Sequence, residues 1–119
     1  MSAPALEREQ GLWAALAEPS RMRVLDALLD RVDATPTMLA KQLPFTRQAV
    51  TKHLAVLGRV GLVDGRRQGR EMRYAVEPAR LAEAARQLYA VAAQWDRRLA
   101  AIKRIAEAVH ARRMAASNQ

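Results

Sequence analysis

Apolar residues recur at helical spacing in the first half of the chain, in runs that proline-containing breaks separate. The pattern predicts a first helix over Leu6–Ala17. It ends at the Glu18-Pro19-Ser20 break, because proline disfavours helical geometry in the residue before it. A second helix extends from this break to Arg31–Val32, and its apolar stripe comprises Met22, Val24, Leu25, Leu28 and Leu29.

Two short helical segments follow, each with a start signal. Thr35-Pro36 begins the third, since threonine caps a helix and proline suits its first position. This helix is expected over Thr37–Leu43, where Pro44 ends it. Thr46 is the predicted cap of a fourth helix that runs to about Val60, and one side of that helix is lined by Ala49, Val50, His53, Leu54 and Leu57.

Beyond Gly61 the period changes from helical to alternating. The pattern predicts a strand over Leu62–Arg66, a turn over Arg67–Arg70 and a second strand over Glu71–Val76. Met72, Tyr74 and Val76 alternate there with more polar neighbours, as in a half-buried strand. The result is a small β-hairpin with a positively charged tip.

Pro78 opens a long helix, predicted over about residues 78–112. Its apolar positions step alternately by four and three, which is a heptad seam. The seam comprises Leu81, Ala85, Leu88, Ala92, Trp95, Leu99, Ile102, Ala106 and Val109. A small domain cannot cover so long a seam, so we expect it to pack against a partner helix.

Length and composition suit one domain over residues 1–119, with half of the residues hydrophobic. The longest uncharged stretch, Gln87–Trp95, is far shorter than a membrane span requires. The N-terminus lacks a secretory signal pattern. The absence of cysteine removes disulfides, thiolate metal sites and cysteine nucleophiles. A cytoplasmic location is expected.

Positive charge concentrates between Thr46 and Arg73. The whole chain has a formal net charge of +8, and this segment holds seven Lys and Arg against two Asp and Glu. A basic surface of this kind indicates an anionic partner, most often nucleic acid, whose phosphates it neutralises.

The first turn of the fourth helix carries side chains that could recognise particular bases. Arg47 suits guanine and Gln48 suits adenine in the major groove, both in bidentate geometry. Thr51 and Lys52 lie one turn further on, within reach of a base or a phosphate. The alternative is that Thr46 merely caps the helix and the other side chains form a solvated face.

These elements resemble, in this order, the ArsR family of small bacterial winged-helix repressors. The resemblance rests on Leu16–Leu25 (LAEPSRMRVL), Leu39–Leu43 (LAKQL), Ala49–Leu57 (AVTKHLAVL), Gly61–Val63 (GLV) and Gly69–Tyr74 (GREMRY). Together the motifs are specific, whereas any one alone would be weak.

The resemblance implies a mainly α fold with a small β-hairpin: a winged helix-turn-helix with N- and C-terminal dimerisation helices. It implies a homodimeric repressor that binds double-stranded DNA sequence-specifically, at a pseudo-palindromic operator. The bound dimer would repress by occluding the promoter. The expected DNA contacts are Thr46, Arg47, Gln48, Thr51, Lys52, His53, Arg66, Arg67, Arg70 and Arg73. The expected dimer contacts are Leu6, Trp13, Leu81, Leu88, Trp95, Leu99, Ile102 and Val109.

The chain departs from the metal-sensing members of that family. It has no cysteine and only two histidines. His53 is expected to pack or to touch a phosphate, and His110 with Glu107 makes a poor metal site beside Arg112 and Arg113. We therefore expect no metal and no cofactor, as in the family's metal-independent branch, while an inter-subunit role for His110 stays open.

Three other interpretations stay open at this point. Trp95, Trp13 and Tyr89 would suit one wall of a pocket for a small-molecule inducer. A non-specific nucleoid-type binder would share the basic surface, and a coiled-coil adaptor would share the heptads but not the basic hairpin. An enzyme is not expected, because no nucleophile–base set is visible and Asp26, Asp30 and Asp33 suit capping and ion pairing.

Overall fold

A computed structural model describes residues 11–118 of the chain. Residues 11–17 form helix α1. The helices and strands that follow are α2 (Pro19–Leu29), α3 (Pro36–Ala40), α4 (Arg47–Arg59), β1 (Val63–Gln68), β2 (Glu71–Val76) and α5 (Pro78–Ser117). The order is that of a winged helix-turn-helix, with α3 and α4 as the helix pair and the hairpin as the wing.

Side chains cap three of these helices. Thr35 Oγ1 accepts from the Met38 N–H at 3.2 Å, and Thr46 Oγ1 accepts from the Ala49 N–H at 3.1 Å, so both predicted caps are confirmed. Glu18 caps α2 in the same way, because its Oε2 accepts from the Arg21 N–H at 2.8 Å. Each oxygen satisfies an N–H that the first turn of a helix leaves without a partner.

The ends of three helices differ from the predicted ones. α2 ends at Leu29, two residues before Arg31, because the N–H groups of the next residues fold back onto the Leu28 carbonyl. α3 ends at Ala40 instead of Leu43. The chain tightens after Ala40, where the Gln42 N–H donates to the Leu39 carbonyl three positions back, and Pro44 keeps Leu43 out of helical geometry. α5 continues beyond residue 112 to Ser117, as neither glycine nor proline interrupts it.

The hairpin is longer and its turn tighter than predicted. β1 and β2 pair antiparallel from Val63 opposite Val76 to Gln68 opposite Glu71. Arg67 and Gln68 therefore belong to the ladder, and the turn consists of Gly69 and Arg70 alone. Gly69 has φ +61°, a backbone conformation that glycine adopts without steric cost. Leu62 lies before the strand, where its N–H donates to the Leu57 carbonyl.

The hydrophobic core of residues 11–82 lies between α1, α2, α3, α4 and the base of the wing. Its fully or nearly fully buried apolar residues are Leu12, Ala15, Val24, Leu25, Leu28, Ala34, Leu39, Val50, Leu54, Leu57, Leu62 and Val63. Burial of these side chains is the main force that holds α4 in place. The beginning of α5 is fixed to the end of α4, because Arg80 Nε donates to the Val60 carbonyl at 2.9 Å.

The chain divides into two compact units, one up to Ala82 and one from Glu83 onward. The second unit is the continuation of α5. Most of its large apolar side chains are exposed: Tyr89, Trp95, Leu99, Ile102, Ile105, Val109 and Met114. Within residues 11–118, no helix is long and apolar enough to cross a membrane.

Candidate nucleic-acid interface

The exposed side of α4, which we call the outer face, consists of Arg47, Gln48, Thr51 and Lys52. These four side chains follow the Thr46 cap over the first two turns of the helix. The opposite side of α4 is buried through Val50, Leu54 and Leu57, so the outer face cannot rotate inward. The burial of one side thus fixes which residues α4 presents to solvent.

The outer face is largely free to bind. Within residues 11–118, neither Arg47 nor Lys52 forms an ion pair, and the Gln48 side chain forms no hydrogen bond. The Thr51 hydroxyl donates to the Arg47 carbonyl at 2.9 Å, which leaves its oxygen lone pairs available. A guanidinium, an amide and an ammonium are therefore presented together with unused donors.

His53 lies on a different side of α4 from this face. Its side chain is 18% exposed, its Nδ1 lies 3.8 Å from Glu18 Oε2, and its ring meets the Phe45 ring edge-on with centroids 6.1 Å apart. The Arg23 guanidinium covers the same Phe45 ring at 5.5 Å. The packing expected for His53 is therefore present, while the phosphate contact stays a prediction.

Glu18 links this cluster to the start of α2. The pKa of its carboxyl is lower than the usual value of 4.5, chiefly because the carboxylate accepts the Arg21 N–H; Ser20 and then His53 lower it further. Glu18 is a residue that sequence reasoning missed. Its position before Pro19 was the available signal, since a helix cap immediately precedes the first helical residue.

Two arginines of the wing have no ion-pair partner within residues 11–118. Arg67 and Arg70 are exposed, and neither forms an ion pair within the part of the chain that the structure describes. Arg66 is also exposed, but its Nε donates to Asp64 Oδ2 at 2.9 Å, which raises the pKa of its guanidinium. The tip of the wing thus carries positive charge that nothing described neutralises.

Arg73 differs from the other predicted DNA contacts. Its Nη1 donates to Asp33 Oδ1 at 2.8 Å and its Nη2 to Glu71 Oε2 at 3.4 Å. The hydrogen bond to Asp33 is the chief reason that the pKa of Arg73 is raised. The structure therefore separates Arg73 from the free wing arginines and joins it to the connection between α2 and α3.

The predicted dimer contacts are exposed or half-buried where the structure describes them. Trp13 on α1 is exposed, and so are Trp95, Leu99, Ile102 and Val109 on α5, whereas Leu81 and Leu88 are half-buried. Leu6 lies outside the described residues. The Arg98 guanidinium covers the Trp95 ring at 5.2 Å, so one face of this indole already has a cationic neighbour.

The described residues contain no ready metal site. Within residues 11–118, no group of three or more His, Asp and Glu side chains is close enough together to hold a metal ion. His110 and Glu107 are both exposed on α5.

Comparison with known proteins agrees with this geometry. A family of helix-turn-helix domains matches residues 16–66. The solved structure of an ArsR-like transcriptional regulator from Rhodococcus superposes with a TM-score of 0.66 at 41% identity, over 87% of this chain and 96% of that one. The HTH-type transcriptional regulator CmtR from Mycobacterium tuberculosis is 45% identical over 80 residues, which is 67% of each chain. The chain belongs to the ArsR family.

As an ArsR-family protein, the chain is a DNA-binding transcriptional regulator with a winged helix-turn-helix fold. A further neighbour is the solution structure of a homodimeric winged helix-turn-helix DNA-binding domain from Mycobacterium bovis. It has a TM-score of 0.63 at 25% identity, over 77% of this chain and 83% of that one. The family is one of transcriptional regulators rather than of enzymes.

Proposed function

We propose that this ArsR-family regulator is a homodimeric repressor that binds a pseudo-palindromic operator through the outer face of α4 and the tip of the wing. The observation that supports it best is the outer face itself, where Arg47, Gln48 and Lys52 have no side-chain partner among residues 11–118 and the opposite side of the helix is buried. We expect it to act in the cytoplasm, where bacterial promoters are accessible.

Base recognition is assigned to the beginning of α4. In helix-turn-helix proteins the N-terminal residues of the second helix face base edges in the major groove. Arg47 would donate two hydrogen bonds to guanine O6 and N7, and Gln48 would pair with adenine N6 and N7. Thr51 and Lys52, one turn later, would contact a base or a phosphate.

Backbone contacts are assigned to the wing. Arg67 and Arg70 are exposed and unpaired within residues 11–118, so they can neutralise phosphates or enter the minor groove without first breaking an ion pair. Arg66 would have to share its guanidinium with Asp64. Phosphate contacts of this kind raise affinity for any duplex and make it dependent on salt.

Binding of a pseudo-palindromic operator requires two protomers, one for each half-site. Four exposed apolar residues of α5 lie on the heptad seam, namely Trp95, Leu99, Ile102 and Val109. The homodimeric neighbour from Mycobacterium bovis supports a two-fold assembly. A two-fold dimer places its recognition helices in half-sites that are about one helical turn, roughly 10 bp, apart. The bound dimer represses by covering the promoter, a role that requires no chemistry.

Fluorescence anisotropy tests this proposal. The full-length protein is titrated into a labelled duplex from immediately upstream of its own gene and into a scrambled duplex of equal composition, each at two salt concentrations. The proposal expects a preference of about a thousandfold or more, with saturation at one dimer per site. A lower affinity for both duplexes at the higher salt is expected as well.

The other outcomes support other functions. Equal binding to the two duplexes, and to a tiled set of promoter fragments, would identify a non-specific nucleoid-type binder. Absence of binding to any duplex at low salt would contradict the DNA-binding assignment and favour a coiled-coil adaptor.

A further inference from the structure

Three consecutive residues between α2 and α3 make three different contacts. The Asp33 carboxylate pairs with Arg73 of β2 at 2.8 Å. Ala34 forms a backbone bridge with Tyr74, in which each N–H donates to the other's carbonyl, at 3.0 and 2.8 Å. Thr35 caps α3. The wing and the first helix of the helix pair are thus attached to the same short segment.

We propose that Asp33 and Arg73 are a positioning pair, which sets the orientation of the wing relative to α4 and does not itself bind DNA. This inference rests on the proposed function, because it requires that the wing tip contacts DNA. It assigns a role in DNA binding to the carboxylate of Asp33, although DNA phosphates repel a negative charge.

The wing needs an external attachment, because a two-stranded hairpin alone is marginally stable in water. The Ala34–Tyr74 bridge attaches β2 through its backbone, and the buried Val63 holds the base of β1 in the core. Arg73 is the next residue after Tyr74 toward the tip, and its ion pair with Asp33 adds an attachment through side chains. This added attachment restricts the orientation of the part of the wing beyond its base.

The geometry of Arg73 suits this role better than a lysine would. One guanidinium nitrogen donates to Asp33, 40 positions earlier in the chain, while the other reaches Glu71 on the same strand. A planar fork with two fixed donors holds both carboxylates in one orientation, whereas an ammonium acts as a point charge.

The Asp33–Arg73 pair orients the wing but adds little to the stability of the fold. Both side chains are about one third exposed, 30% for Arg73 and 35% for Asp33, and exposed ion pairs add little to the free energy of unfolding. Variants of the pair are therefore expected to fold, so that their DNA affinity can be measured.

The variant Asp33→Asn separates positioning from simple charge. It removes a negative charge and weakens the contact with Arg73, because a neutral amide oxygen accepts a weaker hydrogen bond from a guanidinium than a carboxylate does. Electrostatics alone therefore expects tighter DNA binding. Positioning expects the opposite, a loss of operator affinity of about tenfold with little change in the melting temperature. Asp26→Asn, which makes the same charge change at an exposed α2 residue, serves as the control and is expected to bind normally or slightly more tightly.

A double-mutant cycle then connects the pair to the wing tip. The double variant Arg67→Gln/Arg70→Gln is expected to lose operator affinity, and adding Asp33→Asn to it is expected to cause no further loss. Arg73→Lys is expected to recover only part of the affinity that Arg73→Gln loses. The five variants and the Asp26→Asn control are all measured by anisotropy on the same operator duplex and by thermal unfolding.

The outcomes distinguish this inference from the function on which it rests. If Asp33→Asn binds the operator as tightly as the wild type or more tightly, the positioning role is wrong and the wing assignment stands. If Asp33→Asn costs as much in the Arg67→Gln/Arg70→Gln background as in the wild type, the pair does not act through the wing tip. If Arg67→Gln/Arg70→Gln itself binds normally, the wing contact fails and the positioning role fails with it.

Discussion

At the scale of single residues, α4 separates DNA contact from packing by which side each residue occupies. Arg47 is exposed and unpaired within residues 11–118, so its replacement by alanine is expected to leave the fold unchanged. Arg47→Ala is expected to weaken operator binding by about 1–3 kcal/mol and to relax the preference at one base position. Anisotropy with a set of operators that differ at single positions measures both effects.

Arg59→Ala is the matched control for this prediction. It removes the same charge from the same helix, but in the last turn, about 18 Å from Arg47 at 1.5 Å per residue. It is expected to lower affinity for all duplexes equally, or not at all. A loss of affinity in Arg47→Ala without any change in base preference would show that Arg47 contacts only phosphate.

Individual residues were predictable from the sequence where their partners are local. Thr35 and Thr46 cap N–H groups three positions ahead, a relation that the sequence displays directly. Asp33 and Arg73 are 40 positions apart, and only the folded chain brings them together. For this reason the sequence displays the positive charge of Arg73, which places it among the expected DNA contacts, but not its pairing with Asp33.

At the scale of elements, the packing of the wing depends on Gly65, a glycine that lies in strand β1 and not in the turn. Gly65 lies opposite Tyr74 in the ladder, and a Cβ at this position would lie 2.8 Å from Tyr74 Cε1. Gly65→Ala is expected to displace the Tyr74 ring and to lower the free energy of unfolding by about 1–3 kcal/mol, the usual cost of overpacking. Urea unfolding followed by circular dichroism measures the change.

Gly58→Ala makes the same substitution where the space is free. Gly58 lies inside α4, and a Cβ there would find its nearest neighbour, the Val63 carbonyl oxygen, at 3.9 Å. Alanine in a helix is expected to raise the free energy of unfolding by about 0.5–1 kcal/mol. Equal effects at the two positions would indicate that Tyr74 moves away from Gly65 without cost.

Elements with strong periodicity were predictable, and their boundaries were less so. The order of helices, the hairpin and the long last helix follow from spacing and from the Pro and Thr signals. The hairpin turn was predicted over Arg67–Arg70, because arginines and a glycine in sequence are typical of a loop. Cross-strand pairing draws Arg67 and Gln68 into the ladder and leaves two residues to the turn.

At the scale of the whole molecule, the two compact units differ in what they expose. From residue 11 to Ala82, most large apolar residues are buried or half-buried, whereas the unit from Glu83 exposes a row of them along one helix. A large exposed apolar surface on a helix indicates a protein interface. Trp95, Leu99, Ile102 and Val109 in this row lie on the heptad seam that the sequence displays, and that spacing favours a second copy of the same helix as the partner.

Trp95 tests whether this seam holds the dimer together. Its side chain is 54% exposed in a single protomer, so an association that covers it removes a large aromatic surface from water. Trp95→Ala is expected to weaken the dimer by at least about 2 kcal/mol, as truncation of a central interface aromatic does. Arg97→Ala, on the opposite side of α5, is the control and is expected to leave the dimer intact. Sedimentation velocity across micromolar concentrations separates the two variants, and a Trp95→Ala dimer as stable as the wild type would exclude Trp95 from the interface.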